Sequence, residues 1–278
     1  ILINAEVNQI LIEKNKAMGV LMNDGKKFFA NNVVSSTGIF NTYEKLIPPS
    51  VSQKYQLNQQ LEKVSPSVAH ACLYIGLKGS PEKLKLPKNN LWVYPEKGDH
   101  DTIVENYLSD SKAPFPVVYI SFPAAKDPSW SERYPDRSTI DIITLLPFDL
   151  VKEWQGTKWM KRGKEYEELK EKMSQRLLET LYHQLPHLNG KIDHYELSTP
   201  LTTQNFVNYK EGEIYGIDHT PQRFRQKFLQ PRTPIKNFYL TGQDIISAGV
   251  GGALFSGVVT ASAMQGKNLV KMVYKAKT

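Results

Sequence analysis

The chain is poor in cysteine: Cys72 alone among 278 residues. That excludes an internal disulfide framework and agrees with a reducing compartment. Cys72 sits in the apolar run VAHACLYIGL, so its thiol reads as buried packing and not as a reactive nucleophile. Long apolar runs are missing too, and none approaches the roughly 20 residues a helix needs to span a bilayer. No G-x-S-x-G elbow occurs, so the Ser, His and Asp present lend hydrolase chemistry no support. No internal repeat appears at solenoid or propeller periods. The sequence opens on ILINAEV with neither methionine nor leader, and the expectation is the C-terminal part of a longer protein.

Charge is present but mixed. Lys and Arg number 35 against 28 Asp and Glu, a net +7 that suits anionic lipid, nucleic acid or an acidic substrate. The signs interleave, as in KRGKEYEELKEKM, which is the pattern of a solvated helix face. No aromatic-basic RNA signature accompanies them, and nucleic acid is not an expected partner. With 40% hydrophobic residues, a chain of this length can bury a core without staples, as one large or two moderate domains.

Three blocks follow along the chain: 1–48, 49–200 and 201–278. The first reads as a βββ unit, with strands over Val7–Ile12, Met18–Met22 and Lys27–Ser35 and a tight turn at Asn23-Asp24-Gly25. Its last strand runs into VVSSTG, as a buried strand does on meeting a ligand-facing loop. In the second block, strands are expected over Val68–Leu77, Leu91–Tyr94, Val117–Phe122 and Thr139–Leu146. Tyr166, Leu169, Met173, Leu177 and Leu181 recur at helical spacing, which predicts one long helix from Lys164 to Gln184, ended by Pro186. The pattern is that of an α+β domain on an antiparallel sheet. In the third block STPLTTQNF and GEIYGIDH read as polar loops. A short strand NFYLTG and a helix from Gly249 to Gln265 then follow, with Gly266 as its terminating residue.

The stretch FYLTGQDIISAGVGGALFSG, Phe238–Gly257, concentrates small residues where that helix begins. Helix N-termini carry unpaired N–H groups and partial positive charge, and glycine allows a ligand close to them. Asp244, just upstream, is able to accept from sugar or polyol hydroxyls. A flavin with its ribityl chain combines an electron-rich ring edge with such hydroxyls; close helix packing is the competing account of the glycines. Gly249-Val250-Gly251 does not make a dinucleotide fingerprint: Leu254 takes the third glycine's place and no acid follows Gly251 to hold a ribose.

FYLTGQDIISAGVGGALFSGVVTASAM resembles the C-terminal flavin-binding segment of the phytoene desaturase and carotenoid isomerase superfamily of FAD enzymes. SFPAAKDPSWSERYPDRST, EWQGTKWMKRGKEYEELK, LSTPLT and IYGIDHT resemble its retinol saturase branch more closely. The resemblance implies an α/β fold in which 1–48 and 201–278 belong to a partial, three-layer Rossmann-type FAD-binding domain and 49–200 to the α+β substrate domain. It further implies that the backbone of Val7 meets the adenine and that Ser36, Thr37 and Gly38 line the adenosine side. Gly242 and Asp244 would meet the ribityl and pyrophosphate region, and Val250, Gly251 and Gly252 the pyrimidine edge of the ring. The superfamily's G-x-G-x-x-G loop and acidic ribose ligand have no counterpart in this sequence, so the chain alone is expected to hold FAD weakly or not at all.

The implied activity is saturation of a carbon–carbon double bond in a hydrophobic, retinol-like polyene, with FAD as cofactor and NAD(P)H as a candidate electron donor. Cis–trans isomerisation or desaturation on the same fold, and a non-catalytic module holding an apolar ligand, are the alternatives. Tyr215 and His219, in YGIDHT, are the candidate proton donors, against packing of their loop at a domain interface. His183 and His187 have the i, i+4 spacing of metal ligands, but Pro186 lies between them and no third ligand follows, so no metal is expected. His70 is expected to be a satisfied core or pocket-wall residue. The expected location is the cytoplasm or, from the apolar substrate and basic surplus, peripheral contact with a membrane.

Overall fold

The computed structural model of the protein describes residues 1–95 and 98–276. Contacts divide the chain into two units, Ile1–Ser67 with Glu213–Thr278, and Val68–Gly212. These divisions fall later along the chain than the changes of composition near 48 and 200. In the first case the reason is packing. Leu57 and Leu61 are buried in one core with Ile10, Phe238 and Leu240, so residues past Pro48 belong to the first unit.

The chain begins with strands β1 (Val7–Glu13), β2 (Lys16–Met22) and β3 (Lys27–Phe29), an antiparallel meander in that order. Lys14 and Asn15, both at positive φ, make the first turn. The third strand expected over Lys27–Ser35 is in fact two. It breaks after Phe29, and β4 (Val33–Ser35) leaves the meander to pair with a strand about two hundred residues away. A π-helical turn, Asn41–Leu46, and the short helices α1 (Pro49–Lys54) and α2 (Leu57–Leu61) follow.

The second unit is built on one antiparallel sheet, with strands β5 (His70–Lys78), β6 (Leu91–Val93), β7 (Val118–Ser121), β8 (Arg137–Leu145) and β9 (Ile192–Ser198) ordered β6-β7-β8-β5-β9. Helix α3 (His100–Ser109) lies between β6 and β7, and α4 (Pro123–Lys126) and α5 (Trp130–Arg133) between β7 and β8. Alternation along β5 sends Ala71, Leu73, Ile75 and Leu77 into the core, joined from β8 by Ile140 and Ile142. The long helix α6 (Lys164–Gln184) has the bounds its spacing predicts and buries Tyr166, Met173, Leu177 and Leu181 in that core, with Leu169 partly buried. Each such side chain contributes about 1.5–3 kcal/mol by leaving water.

Two elements depart from expectation. KIDHYELS supplies β9, which the sequence reading passes over. PLTTQNFV is not a loop but helix α7 (Pro200–Val207), opened by a capping box in which Thr199 and Thr202 satisfy each other's backbone. The Thr residues that look loop-forming are the helix start itself. On the face of β5 opposite the core, burial raises the Cys72 thiol to about 12, so it stays protonated. His70 is not satisfied as expected: its Nδ1 is buried with no hydrogen-bond partner among the described residues, and burial lowers its pKa. His187 Nε2 lies 3.1 Å from the Leu84 carbonyl, and His183 Nδ1 3.3 Å from Gln184 Nε2.

The chain then re-enters the first unit through α8 (Pro221–Phe224), β10 (Phe238–Leu240), α9 (Gly249–Gln265) and α10 (Leu269–Lys275). β10 runs parallel to β4, with Val33 opposite Phe238, Val34 opposite Tyr239 and Ser35 opposite Leu240. Helix α9 has the expected bounds, and Gly266 terminates it in the left-handed region. No described helix is long and apolar enough to cross a membrane.

Candidate cofactor site

Two parallel strands end side by side, and their C-terminal ends release the residues of interest. From β4 come Ser36, Thr37 and Gly38; from β10 come Thr241, Gly242 and Asp244. The ends of parallel strands are where α/β sheets bind ligands. Thr241 N–H donates to the Ser35 carbonyl at 2.9 Å, extending the pairing one residue beyond β10. Thr42, buried in the π-helical turn, sits 2.7 Å from Ser35 Oγ and 3.2 Å from Thr37 Oγ1, fixing the loop from behind. Ser36 and Thr37 themselves are exposed.

Asp244 is only 5% exposed and turns inward. Ile39 N–H donates to its Oδ2 at 2.8 Å and Ile217 N–H to its Oδ1 at 3.0 Å. One carboxylate thereby joins the loop after β4, the loop before α8 and the loop after β10. Burial pushes its pKa up, while the two amides and the Arg223 guanidinium pull the other way. The residue facing it is Gly216, at φ +64°, where a Cβ would lie 2.0 Å from Oδ1. Glycine is required there on both counts.

Arg223, which the sequence gives no reason to single out, is 2% exposed. It donates to the Ile217 carbonyl at 2.9 Å and the Gln243 carbonyl at 2.6 Å, and its Nη1 lies 2.9 and 3.0 Å from the two ring nitrogens of His219. His219 Nε2 in turn accepts from Ala248 N–H at 2.7 Å, at the entry to α9. A ring nitrogen that accepts carries no proton, so a bond from Ala248 N–H to Nε2 requires the neutral imidazole. Burial and the Arg223 charge lower the His219 pKa in the same sense. Ser256, fully buried, also escapes sequence reasoning. Its Oγ accepts from Gly242 N–H at 2.7 Å, tying α9 to the end of β10. Its trace in the sequence is the i, i+4 pair Ser256 and Thr260, small polar residues on a mostly apolar helix; Thr260 Oγ1 donates to the Leu240 carbonyl at 2.9 Å.

The glycines at the helix start divide their work. Gly249, at φ +80°, turns the chain into the helix, and a Cβ there or at Gly251 would meet nothing within 4 Å. At Gly252 a Cβ would fall 2.0 Å from the Ser247 carbonyl oxygen. Gly252 therefore serves packing, as the competing account of the stretch held, while Gly249 and Gly251 leave the backbone open. Val250 is 87% exposed. By helix geometry the N–H groups of Val250 and Gly251 have no acceptor within α9, so this end presents donors and positive potential. That is the chemistry an electron-rich ring edge or an anion fits.

The structure thus gathers Ser36–Gly38, Gly242, Asp244, His219 and the start of α9 in one unit, tied by hydrogen bonds of these residues and their chain neighbours. Tyr215 stands on the same loop as His219, its N–H donating to Ser67 Oγ at 2.9 Å and its side chain exposed. Val7 lies in the meander, opposite Met22, and no hydrogen bond links it to the others.

No family model matches the chain. Over 280 residues it is 36% identical to all-trans-retinol 13,14-reductase of Rattus norvegicus, covering 97% of this chain and 46% of that protein. Over 260 residues it is 26% identical to the chloroplastic prolycopene isomerase of Arabidopsis thaliana, covering 92% of this chain and 40% of that protein. The chain spans about half the length of the curated relatives it matches. Among solved structures a redesigned putrescine oxidase is similar in fold, with a TM-score of 0.58 at 14% identity, over 96% of this chain and 49% of that one. Along nearly its whole length the chain is thus similar to all-trans-retinol 13,14-reductase and, at lower identity, to prolycopene isomerase.

Proposed function

We propose that this chain is part of an FAD-dependent oxidoreductase that saturates one carbon–carbon double bond of a hydrophobic conjugated polyene related to retinol. The observation that carries the reading is the open start of α9: the N–H groups of Val250 and Gly251 lack acceptors within the helix, and Gly249 and Gly251 leave room for close approach. An electron-rich ring edge placed there would have its negative charge stabilised. When FAD is bound, its reduced ring supplies the hydride for one carbon of the double bond.

The chain's own groups do the rest. Ser36, Thr37 and Gly38 would hold the adenosine side and Gly242 the sugar-alcohol chain, with Val7 at the adenine. Asp244 keeps their loops in register. A proton must reach the second carbon, and Tyr215, exposed on its loop, is the proposed donor. His219 acts as a positioning residue, since its Nε2 is committed to Ala248.

The test uses the full-length protein. Yellow colour with the absorption bands of oxidised flavin is expected, and colourless protein overturns the cofactor assignment. Mass analysis of the product then separates saturation, a gain of two hydrogens, from isomerisation, no change, and desaturation, a loss of two. Loss of flavin absorbance on adding NADPH or NADH tests the electron donor. Tyr215→Phe should keep the flavin spectrum and slow turnover by about 10²-fold or more, the size of general-acid assistance.

A further inference from the structure

A second surface lies in the unit Val68–Gly212 and owes nothing to the cofactor reading. From Trp154 to Lys164 the sequence is WQGTKWMKRGK, with four cations and no acid. Lys161 N–H donates to the Lys158 carbonyl at 3.0 Å, so Lys158-Trp159-Met160-Lys161 is a tight turn with two lysines at its corners and two large apolar side chains at its tip. Met160 sits at φ +59°, a conformation that costs an unbranched L-residue energy and persists only where its surroundings impose it.

The surroundings are visible. Arg162 Nη1 donates to the carbonyls of Trp154 at 3.2 Å and Thr157 at 3.0 Å, and its Nη2 lies 3.4 Å from the Leu201 carbonyl of α7. The turn is therefore pinned to α7, whose last residues continue the patch. Trp159 packs edge-on against Phe206 with ring centroids 5.1 Å apart. Yet Trp159 remains 43% exposed, Met160 74%, Phe206 62% and Val207 52%. From Leu197 to Lys210 the α7 segment also carries no acid. A loop held rigidly so as to keep Trp, Met, Phe and Val in water, between lysines with no ion-pair partner among the described residues, is built for contact.

We propose that this turn and the end of α7 form a docking surface for an anionic phospholipid bilayer. Trp and Phe enter the headgroup–acyl boundary, where aromatic rings partition, while Lys158 and Lys161 remain at the level of the phosphates. Charge complementarity selects a lipid surface: the patch is apolar at its tip and cationic at its rim, the arrangement that a negatively charged interface receives in depth order.

Vesicle co-sedimentation of the protein tests this, using phosphatidylcholine alone and phosphatidylcholine with about one quarter phosphatidylserine. The protein should sediment with the anionic vesicles and much less with neutral ones, with binding weakened by added salt. Trp159→Ser/Phe206→Ser should lower partitioning about tenfold or more with unchanged circular dichroism. Lys158→Glu/Lys161→Glu, confined to the exposed turn, should abolish the preference for anionic vesicles, and Lys112→Glu/Lys172→Glu, an equal charge change on the same unit, should keep most of the binding. Failure of the unaltered protein to bind anionic vesicles overturns the proposal. So does equal loss in both charge variants. Should the aromatic variant misfold, the two charge variants decide. An acidic protein as the true occupant would appear as no vesicle binding by the unaltered protein.

Discussion

Gly251 and Gly252 are chain neighbours with opposite surroundings, and the same substitution should separate them. A methyl at 252 collides with the Ser247 carbonyl oxygen at 2.0 Å, so Gly252→Ala should cost about 1–3 kcal/mol by overpacking. At 251 nothing lies within 4 Å, and Gly251→Ala should leave stability equal or raise it by up to about 1 kcal/mol through helix propensity. Its effect should fall on FAD affinity in the full-length protein. Thermal melts and a flavin titration read the two apart; a stability loss at 251 equal to that at 252 would refute the division of labour. His219 gives a pH signature at the same scale. Its folded pKa lies below the ordinary 6.5, so as pH falls past 6.5 the unfolded chain takes up the proton first. The stability it contributes is complete above that pH and is lost as pH falls through the folded value, because a protonated Nε2 no longer accepts from Ala248. His219→Gln should therefore flatten part of the decline in Tm between pH 7 and 5, read as the difference between the two proteins.

At the scale of elements, the tie between α9 and β10 is the most exposed to test. Ser256→Ala removes the acceptor of Gly242 N–H in a site with no access to water, and should cost about 1–3 kcal/mol in a denaturant melt. Ser256→Cys, which restores only a weak acceptor, should recover little of it. That this serine escaped notice shows where the sequence is legible. Helices α6 and α9 were readable to their ends because spacing, Pro186 and Gly266 are local signals. The split of Lys27–Ser35 was not, since nothing nearby in sequence says that Val33 pairs with Phe238. Thr199 and Thr202 misled for a related reason: the polarity that marks a loop is also the chemistry of a helix cap. The glycine-rich helix start was recognisable from its own residues, and so was Asp244, but not the role of its carboxylate. Its inward turn depends on Ile39 and Ile217, one of them 205 positions away.

For the molecule as a whole, the two units should differ in how they hold their hydrogen bonds. β5 is paired on both sides, by β8 and β9, and its alternate side chains fill the larger core, so its amides should exchange with solvent most slowly of all. The exposed β3 and α10 should exchange fastest. Adding FAD to the full-length protein then supplies a map of where the cofactor acts. Protection should rise at Ser36–Ile39, at Gly242 and at the first turn of α9, where the amides of Val250 and Gly251 have no acceptor within the helix. The strands of the second unit should be unchanged by comparison, because their amides are already paired. If β5 and β8 gain protection while the start of α9 does not, the helix terminus is not the ring site. Gly249 would then serve only the turn into the helix, and Gly252 its packing.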